Sequence, residues 1–264
     1  MDSKIDKGRI EFNDENYEKA LAYFDSVSED DEDYDYVLTF KITCLMELEK
    51  YDKALFLIDS LLAEEGDVEL LLYEKIRCHI ALNEKKEALD ALKKLERIIS
   101  KDNKNAILDV ARFYKFVEEP KRALRLCNMA LAIDEDFEDA IHEKAIIAIA
   151  LGNDEIVDNC ANKLLDLVDG DKFKILLIFS LKLYCGKFHD CINIIDGLEN
   201  VFEDETSEML KFVVFNQLCE KLDVTIYLTD DVDLSAGEAI GLLFEYEQNG
   251  IKNGTIDGAG FVIM

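Results

Sequence analysis

The sequence holds one proline, Pro120, no tryptophan and three histidines in 264 residues. With so little proline to interrupt helices, a helix-dominated soluble protein fits better than a sheet protein or a disordered chain. Cysteine is present but unpaired in pattern: Cys44, Cys78, Cys127, Cys160, Cys185, Cys191 and Cys219 are odd in number and include no Cys-x-x-Cys. That spacing excludes a disulfide framework and leaves the thiols as small core residues. Basic residues are scarce: 30 Lys and Arg face 58 Asp and Glu, for a net charge of -28. Nucleic-acid binding relies on cations displacing counterions, so nucleic acid is excluded as a partner and basic protein segments are favoured.

Other absences narrow the function further. No Walker loop, His-Glu-x-x-His or Gly-x-Ser-x-Gly occurs. Gly258-Ala259-Gly260 lies too near the C-terminus to lead into a phosphate-binding helix. No catalytic residue, metal ligand set or cofactor is therefore assigned, and a non-enzymatic role is expected. The N-terminal Met1 to Lys7 stretch is polar, so no secretory signal is expected. The longest apolar run, near Ile175 to Leu181, is far shorter than the roughly 20 residues that cross a bilayer. A cytoplasmic location without a membrane partner follows as the expectation.

What the sequence does have is a repeat. Ala20 is echoed by Ala54, Ala88, Ala123, Val157 and Cys191, at steps of 34, 34, 35, 34 and 34 residues. Larger apolar residues move with it: Leu21, Leu55, Leu89, Leu124 and Ile192; Phe24, Ile58, Leu92 and Ile195; Val27, Leu61, Leu95, Leu164 and Leu198. Counting Ala20 as offset 20 of a unit, offsets 20, 21, 24 and 27 share one face of a second helix. Offsets 4, 8 and 11 share a face of a first helix, as in Leu38, Ile42 and Leu45 or Leu72, Ile76 and His79. Short polar turns separate the helices, such as Glu49-Lys50, Asn83-Glu84, Gly152-Asn153 and Gly186-Lys187. Pro120 falls in the first turn of a second helix, where its missing N–H costs nothing.

With Gly8, Tyr17, Ala20, Phe24 and Val27 in the first unit, and Leu38, Tyr51, Ala54 and Leu61 in the second, the chain resembles the tetratricopeptide repeat (TPR) family. The resemblance covers residues 1–222, as six repeats and the first helix of a seventh. No unit keeps the family's tryptophan at 4 or proline at 32. The fold so implied is an all-α right-handed solenoid of stacked helix-turn-helix repeats. In the seventh unit Val224 to Leu234 reads as an insertion, and a capping helix at 235–248 begins with a Ser235/Glu238 capping box. Residues 223–264 thus form a degenerate seventh repeat with a tail. That tail carries Asn-Gly and Asp-Gly turn signals and ends in Phe261-Val262-Ile263-Met264, open between a β-like hairpin, a cap on the last helices and a disordered end.

The resemblance also implies a ligand groove lined by first helices at offsets 2, 5, 6, 9, 12 and 13. On this chain those offsets give Arg9, Tyr36, Phe40, Met46, Tyr73, Arg77, Arg112, His142, Phe173, Leu176 and Tyr184. Three of the chain's six arginines share offset 9, a row suited to a carboxylate-bearing partner. Asp6, Glu74 and Asp109 precede them by three residues, so internal pairing is the competing reading. The residues needed for the family's carboxylate clamp are absent: Ile5, Arg9, Phe40, Leu70 and Glu74 stand there. Acidic clusters at the links (Glu29 to Asp35, Glu64 to Glu69, Asp134 to Asp139, Asp166 to Asp171, Glu203 to Glu205) suit helix starts and offer an edge to a basic partner. Asp231 to Ala236 lacks the glycine and late glutamate of a calcium loop. Cys185, His189 and Cys191 lack a fourth zinc ligand.

The expected function is a protein-protein interaction scaffold holding a peptide or protein segment in its concave groove. The alternatives are a regulatory or accessory subunit of an enzyme complex and a self-associating assembly subunit. The net charge also makes a measurable demand. Acidic links should lie roughly 20 Å apart, whereas the Debye length is about 8 Å at physiological salt and about 30 Å at 0.01 M. Repulsion between links should therefore emerge at low salt, and the melting temperature should rise as salt increases from about 0.01 M. A flat profile would remove charge repulsion from the account.

Overall fold

A computed structural model describes residues 3–197, 204–228, 235–250, 253–256 and 259–264. It forms two compact units, Met1–Ala140 and Ile141–Met264. The first helices of the repeats are α1 (Lys4–Asn13), α3 (Tyr34–Glu47), α5 (Glu69–Ala81), α7 (Lys104–Phe116), α9 (Glu138–Ala150), α11 (Lys172–Tyr184) and α13 (Asp204–Leu222). The second helices are α2 (Tyr17–Phe24), α4 (Tyr51–Glu65), α6 (Lys85–Ile98), α8 (Pro120–Ile133), α10 (Asp154–Leu167), α12 (Phe188–Gly197) and α14 (Ala236–Asn249). Within the N-terminal unit each helix from α1 to α8 packs on the next, and within the C-terminal unit α10 to α14 do the same. This is the all-α stacked-hairpin class that the 34-residue period implies.

The periodic small residue explains the stacking. Ala20, Ala54, Ala88, Ala123, Val157 and Cys191 are all fully buried. Offset 24 buries Phe24, Ile58, Leu92, Cys127, Ala161 and Ile195 beside them. Gly8 shows how close the approach becomes: a Cβ there would lie 2.6 Å from the Phe24 ring. The first hairpin adds an aromatic cluster, in which Phe40 stacks on Phe24 at 5.2 Å and meets Phe12 and Tyr36 edge-on at 5.0 and 4.8 Å. Leu198, the last of the expected offset-27 positions, lies outside the described residues.

The interhelical turns are equally periodic. Glu15, Glu49, Asn83, Glu118, Gly152 and Gly186, one per repeat at offset 15, have φ between 55° and 66°. The following N–H then donates back to the carbonyl at offset 11, as from Lys50 to Leu45 at 2.8 Å and from Glu84 to His79 at 2.7 Å. This 6→1 bond is the Schellman stop of a helix. Four of these turns hold Glu or Asn in a region costly to residues with a Cβ, so the geometry is imposed by packing. The seventh repeat places the same device later: Asp223 has φ 51°, and Val224 N–H donates to Cys219 O at 3.1 Å. Its first helix therefore runs about one turn beyond the others, which displaces the expected second-helix position.

The chain after α13 enters β1 (Ile226–Leu228), and α14 follows with Ser235 and Glu238 capping each other's backbone N–H. Then come β2 (Asn253–Ile256) and β3 (Ala259–Ile263), in an antiparallel sheet of order β1-β3-β2. Ile226 pairs with Ile263 and Asn253 with Val262. Thr225 and Met264 exchange backbone hydrogen bonds of 2.8 and 3.0 Å. Ile263 is buried with Leu242 against Val224 and Tyr246. Of the three tail structures left open by sequence, the tail is thus β, with β3 central. Asp231 and Asp233, weighed for calcium, lie outside the described residues.

The second repeat's junction gives a direct test. Ala54 is fully buried in a cluster with Ile42, Ile58, Leu71 and Cys78. Replacing Ala54 with Leu should overpack that cluster and lower unfolding free energy by about 1 to 3 kcal/mol. Urea denaturation measures it, and an unmoved midpoint would mean that the junction has slack.

Candidate protein-binding faces

On the first-helix side of the N-terminal unit, Met46, Glu47, Arg77, Ile80, Phe113 and Phe116 line a cavity of about 430 Å³ with Glu49, Tyr51 and Ala81. Phe116 leaves 64% of its surface exposed. Tyr73 packs on Phe113 at 5.7 Å and donates its hydroxyl to Ala106 O at 3.4 Å. Burial, with Asp109 and Glu69 nearby, pushes the Tyr73 hydroxyl up to about 12, which keeps it protonated at neutral pH. Met46 is buried and forms cavity wall, while Phe40 is half-buried and packs against the aromatic cluster. Tyr36 remains exposed. Phe113 was missed because offset 10 is not among the family's lining offsets; Phe116 sits on lining offset 13 but was not among the residues named from sequence.

The offset-9 arginines have different surroundings. Arg77 donates twice to Glu74, at 2.9 and 3.2 Å. Arg112 donates to Asp109 at 3.1 Å and lies 3.8 Å from Asp139. Asp6, however, turns away from Arg9 to accept from the Ser3 hydroxyl at 2.8 Å and from Ser3 N–H at 3.2 Å. The Ser3 bonds hold the Asp6 carboxyl below its ordinary pKa, with Arg9 a smaller cause. Two members of the row are thus engaged by carboxylates of their own chain.

In the C-terminal unit the first-helix residues His142 and Leu176 are half-buried, whereas Phe173 is 84% exposed and Tyr184 is exposed. Leu176 packs on the cluster around Phe179, Val214 and Leu218. Met209 and Phe212 of α13 are also exposed. They were missed because the seventh repeat departs from the period.

The second-helix side carries a pattern of its own. Offset 11 faces the core, yet it holds His79, Tyr114 and Lys182 in the third, fourth and sixth repeats, all buried. Each sends its polar end to carboxylates at the second helices. His79 Nδ1 lies 2.8 Å from Glu84, and Tyr114 donates to Glu96 at 2.5 Å. Lys182, only 2% exposed, donates to Asp158 at 2.7 Å, Asn162 at 2.6 Å and Asp190 at 2.9 Å. Burial opposes its charge, but the two aspartates outweigh burial and raise its pKa. With Leu165, Asn193 and Ile194, Lys182, Asn162 and Asp190 line a cavity of about 370 Å³. The sequence marked offset 11 as core; the partners, 8 to 24 residues away in the chain, left no local signal.

The weighed zinc residues are each engaged elsewhere. His189 stacks on Phe244 at 3.6 Å, Cys191 Sγ lies 3.9 Å from Phe179 O, and Cys185 Sγ lies 3.5 Å from Asp154 O. Among the described residues no group of three His, Cys, Asp or Glu is placed to hold a metal, and no helix is long and apolar enough to cross a membrane. None of the seven cysteines forms a disulfide. Burial pushes the thiols of Cys44, Cys78 and Cys160 up to about 11 and that of Cys191 to about 12, so they are unreactive packing groups.

Comparison with known proteins agrees with this geometry. Residues 12–72 match the tetratricopeptide repeat family model. No curated protein sequence matches the chain. A tetratricopeptide repeat protein from Parabacteroides merdae is similar over 93% of this chain and 93% of its own, with a TM-score of 0.60 at 16% identity. A crystal structure of MamA aligns with 63% of this chain and 94% of its own, with a TM-score of 0.51 at 18% identity. MamA from Desulfovibrio magneticus RS-1, from residue 41 to its end, covers 62% of this chain and 90% of its own, with a TM-score of 0.51 at 14% identity. At these identities the likeness is one of fold.

The buried lysine yields a direct test. Replacing Lys182 with Met would leave Asp158 and Asp190 facing each other without their cation. Breaking a buried pair costs about 3 to 5 kcal/mol, and since both aspartates reach solvent, about 3 kcal/mol is expected. Urea denaturation of the variant measures the loss; an unchanged midpoint would show that the triad contributes nothing net.

Proposed function

We propose that this chain, whose fold is that of a tetratricopeptide repeat array, is a non-enzymatic protein-interaction scaffold whose first-helix faces hold a segment of a partner protein. The observation that carries the reading is Phe116. A largely exposed phenylalanine beside a cavity, with Phe113, Ile80 and Met46 behind it, is the arrangement that takes an apolar anchor. Phe173 and Tyr184 support an equivalent face in the C-terminal unit. An amphipathic helix or extended segment presents such anchors at regular spacing.

The charges around the cavity refine the partner. Glu47 and Glu49 stand on its rim, and Arg77 is held by Glu74. A partner carboxylate would have to displace Glu74, and on Arg112 it would compete with Asp109 and Asp139. An apolar side chain flanked by Lys or Arg therefore fits this face better than an acidic segment. Self-association through α13 is the second reading, favoured by exposed Met209 and Phe212, and sedimentation of the pure protein decides it.

Phe56, on the second helix α4, is 77% exposed and serves as an internal control. Affinity for a partner captured from native lysate should fall at least tenfold in Phe116→Asp, about 1.4 kcal/mol, and stay unchanged in Phe56→Asp. Equal loss in both variants, or none in Phe116→Asp, would overturn the first-helix face as the binding surface.

A further inference from the structure

Three of the chain's six arginines converge on one cavity remote from that face. Arg97, Arg122 and Arg125, with Lys93 and Lys101, line a space of about 610 Å³ between α6 and α8. Ile99, Ile107, Leu126 and Met129 complete its wall, and Glu96 is the sole carboxylate on it. In a chain with 58 acidic and 30 basic residues, an average patch would carry nearly twice as many carboxylates as cations. Here the ratio is inverted.

Glu96 does not cancel the cluster; it arranges it. The buried Tyr114 hydroxyl donates to one Glu96 oxygen at 2.5 Å, and Arg125 bonds the other. Arg122 donates to the Tyr114 oxygen at 3.4 Å and lies 5.5 Å from its ring centroid, with Glu119 at 3.8 Å. One carboxylate anchored from the core thereby fixes two guanidinium groups at the mouth of the cavity. Lys93 is paired with Asp90 at 3.0 Å. Arg97 and Lys101 have no carboxylate partner among the described residues. Burial, reinforced by the Glu96 bond, pushes the Tyr114 hydroxyl up to about 12, so it stays a donor throughout the neutral range.

We propose that this cavity binds a compact polyphosphate-bearing small molecule, in the class of inorganic pyrophosphate or a nucleoside di- or triphosphate. Forked guanidinium groups match phosphate oxygens in pairs, and clustered cations require clustered anionic charge. The volume is that of a small-molecule site. An extended acidic peptide would bring only one or two carboxylates into the cavity, whereas a compact polyphosphate brings several anionic oxygens into it at once. The apolar wall offers contact to an uncharged portion such as a nucleoside.

The test is calorimetric titration of the full chain with pyrophosphate, ATP, adenosine, sulfate and a polyglutamate peptide. Pyrophosphate and ATP should both bind at about physiological salt, and both should weaken at least tenfold in the Arg97→Gln/Lys101→Gln double variant. That variant removes only exposed, unpaired cations and should keep the wild-type melting temperature. Tighter binding of ATP than of pyrophosphate with adenosine silent would assign the gain to the third phosphate, and binding of adenosine on its own would assign it to nucleoside contact with the apolar wall. Absence of binding by both ligands at about 1 mM, or affinity unchanged in the double variant, would overturn the proposal. Sulfate or polyglutamate binding as tightly as pyrophosphate would overturn it too.

Discussion

The structure depends on the clearance between helices at offset 20. Zero exposure at Ala20, Ala54, Ala88, Ala123, Val157 and Cys191 means that a methyl, an isopropyl or a thiol is all that separates neighbouring backbones there. Close-packed interiors transmit any extra volume as strain, so the slot fixes the helix spacing and lets the large offset-24 side chains reach across it. Gly8 against the Phe24 ring is the extreme case, where even one Cβ would collide. Where offset 20 relaxes to Val157 and Cys191, offset 24 is Ala161 and then Ile195. In the fifth repeat small and large have partly exchanged.

That spacing in turn dictates the turns. A hairpin held at fixed separation needs its first helix to stop at one residue, and the left-handed residue at offset 15 performs the stop whether it is Gly or Glu. The carbonyl that accepts the closing bond belongs to offset 11, the position whose side chains are His79, Tyr114 and Lys182 in three repeats. Backbone and side chain of one residue therefore serve two ends of the hairpin: the carbonyl closes the turn, and the side chain crosses the core to the second helices. Polar groups are tolerated there because their carboxylate partners stand at the far side, which satisfies the requirement that a buried donor find an acceptor.

How much of this could be read from sequence follows the range of each interaction. The 34-residue echo exposes the stacking, the hairpins and the core faces, because each is repeated and each depends on residues three or four apart. The pairs Arg77 with Glu74 and Arg112 with Asp109 were legible for the same reason. Asp6 broke the series because Ser3, a capping residue, competed for its carboxylate. Phe40 packs on Phe12 and Phe24, and those contacts between repeats are not signalled by its offset. The sheet was legible only in part: local turn signals such as Asn253-Gly254 left a β-like hairpin open, whereas the pairing of β1 with β3 spans more than thirty residues. Lys182 and Tyr114 were hidden most completely: the register fixes where they point and says nothing about what they meet.

The distribution of cations gives the remaining step. Lys41 meets Asp25 at 2.8 Å, and Lys75 meets Asp59 at 2.5 Å, the same pair of offsets in successive repeats. Lys211 meets Asp196 at 3.0 Å in the C-terminal unit. Each such pair is partly exposed and contributes little stability, so its recurrence is better understood as local neutralisation of a carboxylate-rich junction. A chain short of cations thus uses most of those described to quiet its own acid. A cation left without a carboxylate becomes informative where it stands with others around one cavity. Arg97 and Lys101 stand without one beside a cavity whose other arginines are held in place by Glu96 and Tyr114. Electrostatic preorganisation of this kind costs folding energy in the absence of an anion, since like charges are held close together. The cost is sensible only if the local field has something to receive.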